Sequence, residues 1–112
     1  MTNLYEVDAD NAMWLALADP TRRAVFEIVA HKRSGVQEIA DQLPVSRSAV
    51  SQHLKLLYDA GLVQAEKVGR NRYYAAQPEE LRKLRDWLDR YWLEAMLGFA
   101  DAADWDEDQQ DD

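Results

Sequence analysis

The sequence predicts a mainly α-helical domain that carries one small β-hairpin. Apolar residues recur at helical spacing in five segments, whereas residues 62–76 hold two short strand-like runs on either side of a glycine. The chain has 112 residues and no cysteine. A protein of this size forms a single domain, and its core must be built from apolar side chains rather than disulfide bonds.

The N-terminal part predicts an arm followed by two helices. Residues 1–10 show no clear period and are expected to form an extended or frayed arm, after which a short apolar helix occupies residues 11–18. Asp19 is placed to cap the next helix and Pro20 to open it, because proline is favoured at the first helical position. This second helix is expected to run to about His31.

A short third helix and an amphipathic fourth helix come next. Ser and Gly at 34–35 break the second helix, and the apolar residues of 36–43 predict a helix that packs under the following one. Ser46 is placed to cap a helix over residues 46–60, and Gly61 stands where a left-handed residue is wanted after its last turn. The residues expected on the buried face of this fourth helix are Val50, Leu54 and Leu57.

Residues 62–76 predict a β-hairpin whose tip is basic. Two strands, 62–68 and 72–76, are joined by Gly-Arg-Asn at 69–71, residues that suit a tight turn. The order α-α-α-α-β-β-α, with a short turn between the third and fourth helices, is that of a winged helix-turn-helix domain, and the hairpin is its wing. The cations at and beside the tip are Lys67, Arg70 and Arg72.

The C-terminal part predicts a long helix over residues 78–101 and then an acidic tail. The apolar face of this helix is broader than one small domain can cover. We therefore expect the domain, residues 11–101, to form a homodimer through its terminal helices. Residues 102–112 are almost purely acidic and are expected to be disordered. The candidate dimer interface consists of Met13, Trp14, Leu17, Leu84, Trp87, Leu88, Tyr91, Trp92, Ala95, Met96 and Phe99.

The fourth helix and the wing form a candidate DNA-binding surface. The chain has a net charge of −8, yet residues 44–76 carry five cations against two carboxylates, a local charge of +3. Cationic and small polar side chains on a helix that fits the major groove are those that reach phosphates and base edges. The candidate DNA-binding residues are Ser46, Arg47, Ser48, Ser51, Gln52, His53, Lys55, Lys67, Arg70, Asn71 and Arg72.

Different roles are expected within this surface. Arg47 and Gln52 are candidates for base edges, because Arg pairs with guanine and Gln with adenine. The serines and Lys55 are candidates for phosphates, and the wing lies either over the backbone or in the minor groove. His53 stays open between a phosphate contact, a metal ligand, a pH-sensitive group and a partly buried side chain bonded within the fold.

Five segments resemble the ArsR/SmtB-type family of winged helix-turn-helix regulators, in its metal-independent, cysteine-free branch. The resemblance implies a homodimeric repressor that binds a pseudo-palindromic operator, with helix 46–60 in the major groove and wing 62–76 on the backbone or in the minor groove. The matching segments are residues 18–23 (ADPTRR), 45–54 (VSRSAVSQHL), 59–63 (DAGLV), 69–74 (GRNRYY) and 84–92 (LRDWLDRYW).

Metal sensing and catalysis are not expected. In relatives with a thiolate site on the third helix, the cysteines would fall near Gly35 and Gln37, and the last helix contains no His. Zinc and softer ions require sulfur or nitrogen ligands, so we expect no metal site and no cofactor. No nucleophile and base recur in a plausible frame and no glycine-rich phosphate loop is present, so we expect no enzyme activity.

The expected partners are operator DNA and a second copy of the chain. The aromatic residues of the last helix form either the dimer core or a pocket for an organic effector of unknown identity. No signal peptide and no apolar run of membrane-spanning length is present, so a soluble, cytoplasmic protein without a membrane partner is expected. The alternative is a protein–protein interaction module that keeps the winged-helix scaffold without binding DNA, which the acidic net charge would suit.

Overall fold

The structure, a computed structural model, describes residues 9–110, with side chains described for residues 11–98. It confirms the mainly α-helical fold with a small antiparallel sheet. The chain divides into two compact units, Met1–Leu81 and Arg82–Asp112. The elements in order are α1 (Ala9–Ala18), α2 (Pro20–His31), β1 (Ser34–Gly35), α3 (Val36–Ala40), α4 (Arg47–Asp59), β2 (Val63–Val68), β3 (Asn71–Ala76) and α5 (Pro78–Gln110).

The first two helices form where the sequence predicts them. α1 begins at Ala9, two residues earlier than expected, so most of the predicted arm lies outside the described residues. Asp19 caps α2 as predicted: its Oδ1 accepts a hydrogen bond of 3.0 Å from the backbone N–H of Arg22. This hydrogen bond, which favours the charged carboxylate, holds the pKa of Asp19 below its ordinary value.

α4 is capped at both ends by the expected residues. The Oγ of Ser46 accepts a hydrogen bond of 3.0 Å from the N–H of Ala49. At the other end Gly61 adopts φ +84°, and the N–H of Leu62 donates to the carbonyl of Leu57 at 3.0 Å. In this Schellman arrangement the N–H of Gly61 also donates to the carbonyl of Tyr58, and the chain is directed into β2.

Replacing Ser46 by alanine is expected to lower the free energy of unfolding by about 1 kcal/mol, because the N–H of Ala49 then loses its side-chain acceptor. For a domain of this size the unfolding midpoint falls by roughly 4–8 °C. Ser46→Asn, which keeps an acceptor at the cap, is expected to leave the midpoint nearly unchanged. Thermal unfolding at one protein concentration measures both; equal midpoints for the two variants would contradict the assigned cap.

The sheet has a third strand that the sequence did not predict. β2 and β3 pair antiparallel from Val63–Ala76 to Val68–Asn71, and β1 adds to the other edge of β3. Ser34 and Gly35 were expected only to break α2, but they pair with Tyr74 and Tyr73. Two residues are too few to show an alternating pattern, so β1 can be recognised only from its pairing with β3.

The core of the first unit lies where α1, α2 and α3 pack on or around α4. Its fully buried side chains include the three residues predicted for the inner face of α4. Met13 is also fully buried, which corrects its assignment to a dimer interface: its side chain belongs to the core of its own chain. The exposed large residue of α1 is instead Leu15. The largest fully buried side chains are Met13, Val25, Ile39, Val50, Leu54, Leu57 and Leu62.

α5 continues beyond its predicted end. The helix was expected to stop at residue 101 with a disordered tail over 102–112, but it extends to Gln110. No proline or glycine follows Gly98, and the Ala, Glu and Gln residues of the segment are good helix formers. The exposed large apolar residues of α5 are Leu88, Tyr91, Trp92, Leu93, Met96 and Leu97, whereas Leu84 is only 8% exposed and Phe99 lies outside the described side chains.

Candidate nucleic-acid interface

The outward face of α4 is polar and open to solvent. Its buried residues recur every three or four positions, which turns the intervening side chains away from the core. Arg47 lies at the first helical position, beyond the Ser46 cap, at the end of the helix that meets base edges in helix-turn-helix proteins. The predicted residues that are exposed on or beside α4 are Ser46, Arg47, Ser48, Ser51, Gln52 and Lys55.

His53 differs from the other candidates on α4. Its side chain is half-buried, and its Nδ1 is buried with no hydrogen-bond partner among the described atoms. The side chain therefore lies at the border between the exposed face and the core. An internal hydrogen bond to Nδ1, one of the alternatives that the sequence left open, is not formed.

The wing turns at Gly69 and Arg70. Gly69 adopts φ +64° and Arg70 keeps a negative φ, which is the pattern of a two-residue type II′ turn between Val68 and Asn71. Such a turn matches the twist of the strands, and it places Arg70 at the exposed tip. Lys67 and Arg72 lie directly opposite each other across the hairpin, so the two cations share one face of the sheet.

The other face of the hairpin is attached to the end of α2 through Arg33. Its Nη1 lies 2.7 Å from Oε2 of Glu66, and its guanidinium carbon lies 5.1 Å from the ring centroid of Tyr73. Glu66 and Tyr73 are a cross-strand pair, so one side chain contacts both strands. The contacts are exposed and individually weak, but they engage the face of the wing opposite to Lys67 and Arg72.

A first concave surface joins the start of α4 to the tip of the wing. It has a volume of about 340 Å³, and it brings Arg47 of α4 together with Arg70 and Arg72 of the wing. Glu38 of α3 also lines it, so three arginines and one glutamate line this concavity. Planar guanidinium groups bind phosphate oxygens and guanine edges through paired hydrogen bonds. The surface is therefore suited to a polyanion.

A second concave surface, which we call the helix–wing groove, lies between the middle of α4 and the sheet. Its volume is about 650 Å³. Lys55 of α4 faces Lys67 and Arg72 of the wing across it, and Nζ of Lys55 lies 2.9 Å from Oδ2 of Asp59. The residues that line the groove are Ser51, Lys55, Tyr58, Asp59, Ala65, Lys67, Arg72 and Tyr74.

Four residues of the groove were not predicted from the sequence: Tyr58, Asp59, Ala65 and Tyr74. Tyr58 and Asp59 follow Lys55 by three and four positions, so helical spacing alone could have placed them on one side of α4. Tyr74 follows Arg72 by two positions, which places both on one face of the strand. The sequence contains both spacings, but neither spacing shows that the helix and the strand lie on opposite sides of one groove.

The described side chains contain no cluster of three His, Asp or Glu residues that could hold a metal ion. Over the same part of the chain, every helix is too short or too polar to span a lipid bilayer.

Similarity to known proteins extends over most of the chain. Residues 17–64 match the family described as a helix-turn-helix domain. The chain is 50% identical over 91 residues to the HTH-type transcriptional regulator Rv2034 of Mycobacterium tuberculosis, an alignment that covers 81% of this chain and 85% of the relative. Further relatives carry the names of transcriptional repressors and of a transcriptional activator.

Solved structures show the same architecture. An ArsR-like transcriptional regulator from Rhodococcus superposes with a TM-score of 0.69 at 34% identity, covering 82% of this chain and 87% of that one. The homodimeric winged helix-turn-helix DNA-binding domain Mb0332 from Mycobacterium bovis superposes with a TM-score of 0.64 at 23% identity, covering 84% and 92%. The chain is at least 34% identical to Rv2034 and to the ArsR-like regulator from Rhodococcus, over most of each chain. This protein therefore belongs to the ArsR/SmtB-type family of winged helix-turn-helix, DNA-binding transcriptional regulators.

Proposed function

We propose that the protein is a homodimeric repressor that binds a pseudo-palindromic operator through α4 and the wing. The observation that carries this proposal is the convergence of Arg47 from α4 with Arg70 and Arg72 from the wing on one concave surface. Although the chain has a net charge of −8, this surface presents three arginines, which favours a polyanionic partner such as DNA. The alternative of a winged-helix interaction module leaves the cluster without a role, and membership of a regulator family does not favour it.

The proposed contacts follow from the exposure of the side chains. Arg47 and Gln52 lie on the outward face of α4 and read base edges in the major groove. Ser46, Ser48, Ser51 and Lys55 hold phosphates, and the wing contacts the backbone or the minor groove. His53 contributes less than its neighbours, because its side chain is already partly buried within the chain.

The proposed dimer forms through the apolar side of α5. Leu88, Tyr91, Trp92 and Ala95 line a shallow concavity of about 540 Å³ on this helix, and Trp92 is 67% exposed. Large apolar side chains that stay in water along one helix mark a surface that another protein covers. A two-fold dimer would place two copies of α4 about 34 Å apart, which matches one turn of DNA. Met13 takes no part, since it is fully buried in its own chain.

Repression is the direction that the family resemblance implies, by competition with polymerase for the promoter. We infer that the regulator acts in the cytoplasm, where its DNA lies, and that it works without a bound metal, because no cysteine is available as a thiolate ligand. A reporter gene under the promoter upstream of the protein's own gene tests the direction. Lower reporter output when the protein is expressed supports repression, and higher output would show activation instead.

The double variant Arg70→Ala/Arg72→Ala is expected to bind DNA on the order of 30-fold more weakly at 0.15 M salt, because two phosphate contacts are lost. The slope of log K against log salt should flatten by about 1.8. Fluorescence anisotropy on the upstream fragment and on a scrambled fragment, across a salt series, measures both quantities.

Lys32→Ala/Arg82→Ala is the matched control for this experiment. It removes the same charge at two exposed residues outside both concave surfaces, and binding should change little. Equal losses in the two double variants would mean that net charge, not the wing, sets the affinity. No binding of the unmodified protein to either fragment, even at low salt, would reject DNA binding through this surface.

A further inference from the structure

The helix–wing groove has the shape and charge of a seat for a phosphodiester strand. Lys55 contributes one cation from α4, and Lys67 and Arg72 contribute two from the sheet. If α4 enters the major groove and the wing reaches the neighbouring minor groove, one DNA strand must pass between them, since a single backbone separates the two grooves. The helix–wing groove is the space between α4 and the wing through which this strand would pass.

One feature of the groove opposes such an occupant. Asp59 is the one carboxylate among the residues that line it, and its Oδ2 lies 2.9 Å from Nζ of Lys55. The hydrogen bond and then the charge of Asp59 hold the pKa of Lys55 above its ordinary value, so the ammonium stays fully charged. Within the described part of the chain Lys67 and Arg72 form no ion pair, whereas the ammonium of Lys55 already contacts the carboxylate of Asp59.

We propose that the helix–wing groove seats the phosphodiester backbone of one DNA strand and that Asp59 restrains its affinity by competing with a phosphate for Lys55. This inference rests on the proposed function and assigns a residue that acts against binding. The side chains of Lys55 and Asp59 are 75% and 53% exposed, so solvent screens the pair and it opens at little cost when a phosphate arrives. Asp59 then remains beside the strand as a like charge.

The inference predicts that Asp59→Asn binds DNA more tightly than the unmodified protein. The amide keeps the shape of the side chain, leaves Lys55 free for the phosphate and removes the like charge. An exposed charge pair is worth about 0.2–1 kcal/mol, which corresponds to a gain in affinity of about 1.5- to 5-fold. The gain should be the same on operator and scrambled DNA, because phosphates carry no sequence information. It should shrink at high salt, because ions screen exposed charges.

The matched control is Glu27→Gln on α2. Glu27 is exposed and lies outside the groove, and its replacement changes the net charge by the same amount. Anisotropy titrations compare both variants with the unmodified protein, and thermal unfolding checks that all of them fold. The expected result is a gain for Asp59→Asn and none for Glu27→Gln. Equal gains would show a general charge effect and would overturn the inference.

A double-mutant cycle tests whether Asp59 acts through Lys55. In the Lys55→Gln background the gain from Asp59→Asn should fall, because no ammonium remains for which the carboxylate competes. A gain that is unchanged in that background overturns the competition. If Arg70→Ala/Arg72→Ala weakens binding while Asp59→Asn has no effect, the proposed function stands and this inference fails.

A final comparison separates a DNA strand from free phosphate as the occupant. DNA binding is titrated with inorganic phosphate in place of chloride at equal ionic strength. Unchanged affinity supports the strand as the occupant of the groove. Displacement of DNA by inorganic phosphate, lost in Lys55→Gln, would assign the groove to a free anion instead.

Discussion

Replacing Leu88 and Trp92 by glutamate is expected to convert the regulator from a dimer to a monomer and to lower its operator affinity about 100-fold or more. Both side chains are at least half exposed and line the concavity on α5, so they have little to lose within their own chain. In a two-fold interface each carboxylate would be buried without a partner. A monomer also loses the gain in effective concentration that a second linked half-site provides, which is typically about 10²–10⁴.

Sedimentation velocity across a concentration series measures the oligomeric state, and anisotropy on the operator measures the affinity. Arg90→Glu is the matched control, because Arg90 lies on the opposite side of α5 from Leu88, two positions along the helix. We expect this variant to remain dimeric. Persistence of the dimer in Leu88→Glu/Trp92→Glu would place the interface elsewhere. A monomer that binds the operator as tightly as before would separate DNA binding from dimerisation.

Replacing Leu54 by alanine is expected to lower the free energy of unfolding by about 2–5 kcal/mol. Leu54 is fully buried on the inner face of α4, which packs against α2 and α3. The substitution removes apolar contacts and leaves a cavity in a small core. Since domains are stable by only about 5–15 kcal/mol, much of the stability is at risk, and α4 should lose its fixed position for DNA.

Leu56→Ala provides the control within the same helix. Leu56 is 46% exposed, and its truncation leaves no enclosed cavity, so the loss should be well below that of Leu54→Ala. Urea denaturation at one protein concentration compares the two variants, because the stability of a dimer depends on concentration. Equal losses would contradict the assignment of Leu54 to the core and Leu56 to the surface.

Local chemistry was sufficient to predict most helices and both ends of α4. A cap such as Ser46 or Asp19 satisfies backbone donors three residues away, and Gly61 ends the helix through bonds that span one turn. These interactions lie within a few residues, so the sequence pattern contains them. The hairpin was predicted for the same reason, because its turn requires a residue with positive φ at Gly69. The turn holds two residues rather than the predicted three, since Asn71 pairs with Val68 and belongs to β3.

Contacts between distant segments were not predictable in this way. The sequence placed Met13 at the dimer interface because it is apolar and lies on a terminal helix, but the packing of α1 on α2 and α4 buries it in its own chain. The pattern distinguishes apolar from polar faces, but it does not say which partner covers an apolar face.

The sequence by itself determined the type of domain, the elements of its DNA-binding surface and the cations that they carry. Helix periodicity, capping residues and local charge are properties of neighbouring residues, so they can be recognised without knowing the fold. Only the tertiary structure decided that β1 joins the sheet and that Arg47 and Arg70 line one concave surface. It also showed that Asp59 stands among the cations of the helix–wing groove. These arrangements join residues distant in sequence, so they depend on how the elements pack rather than on any local pattern.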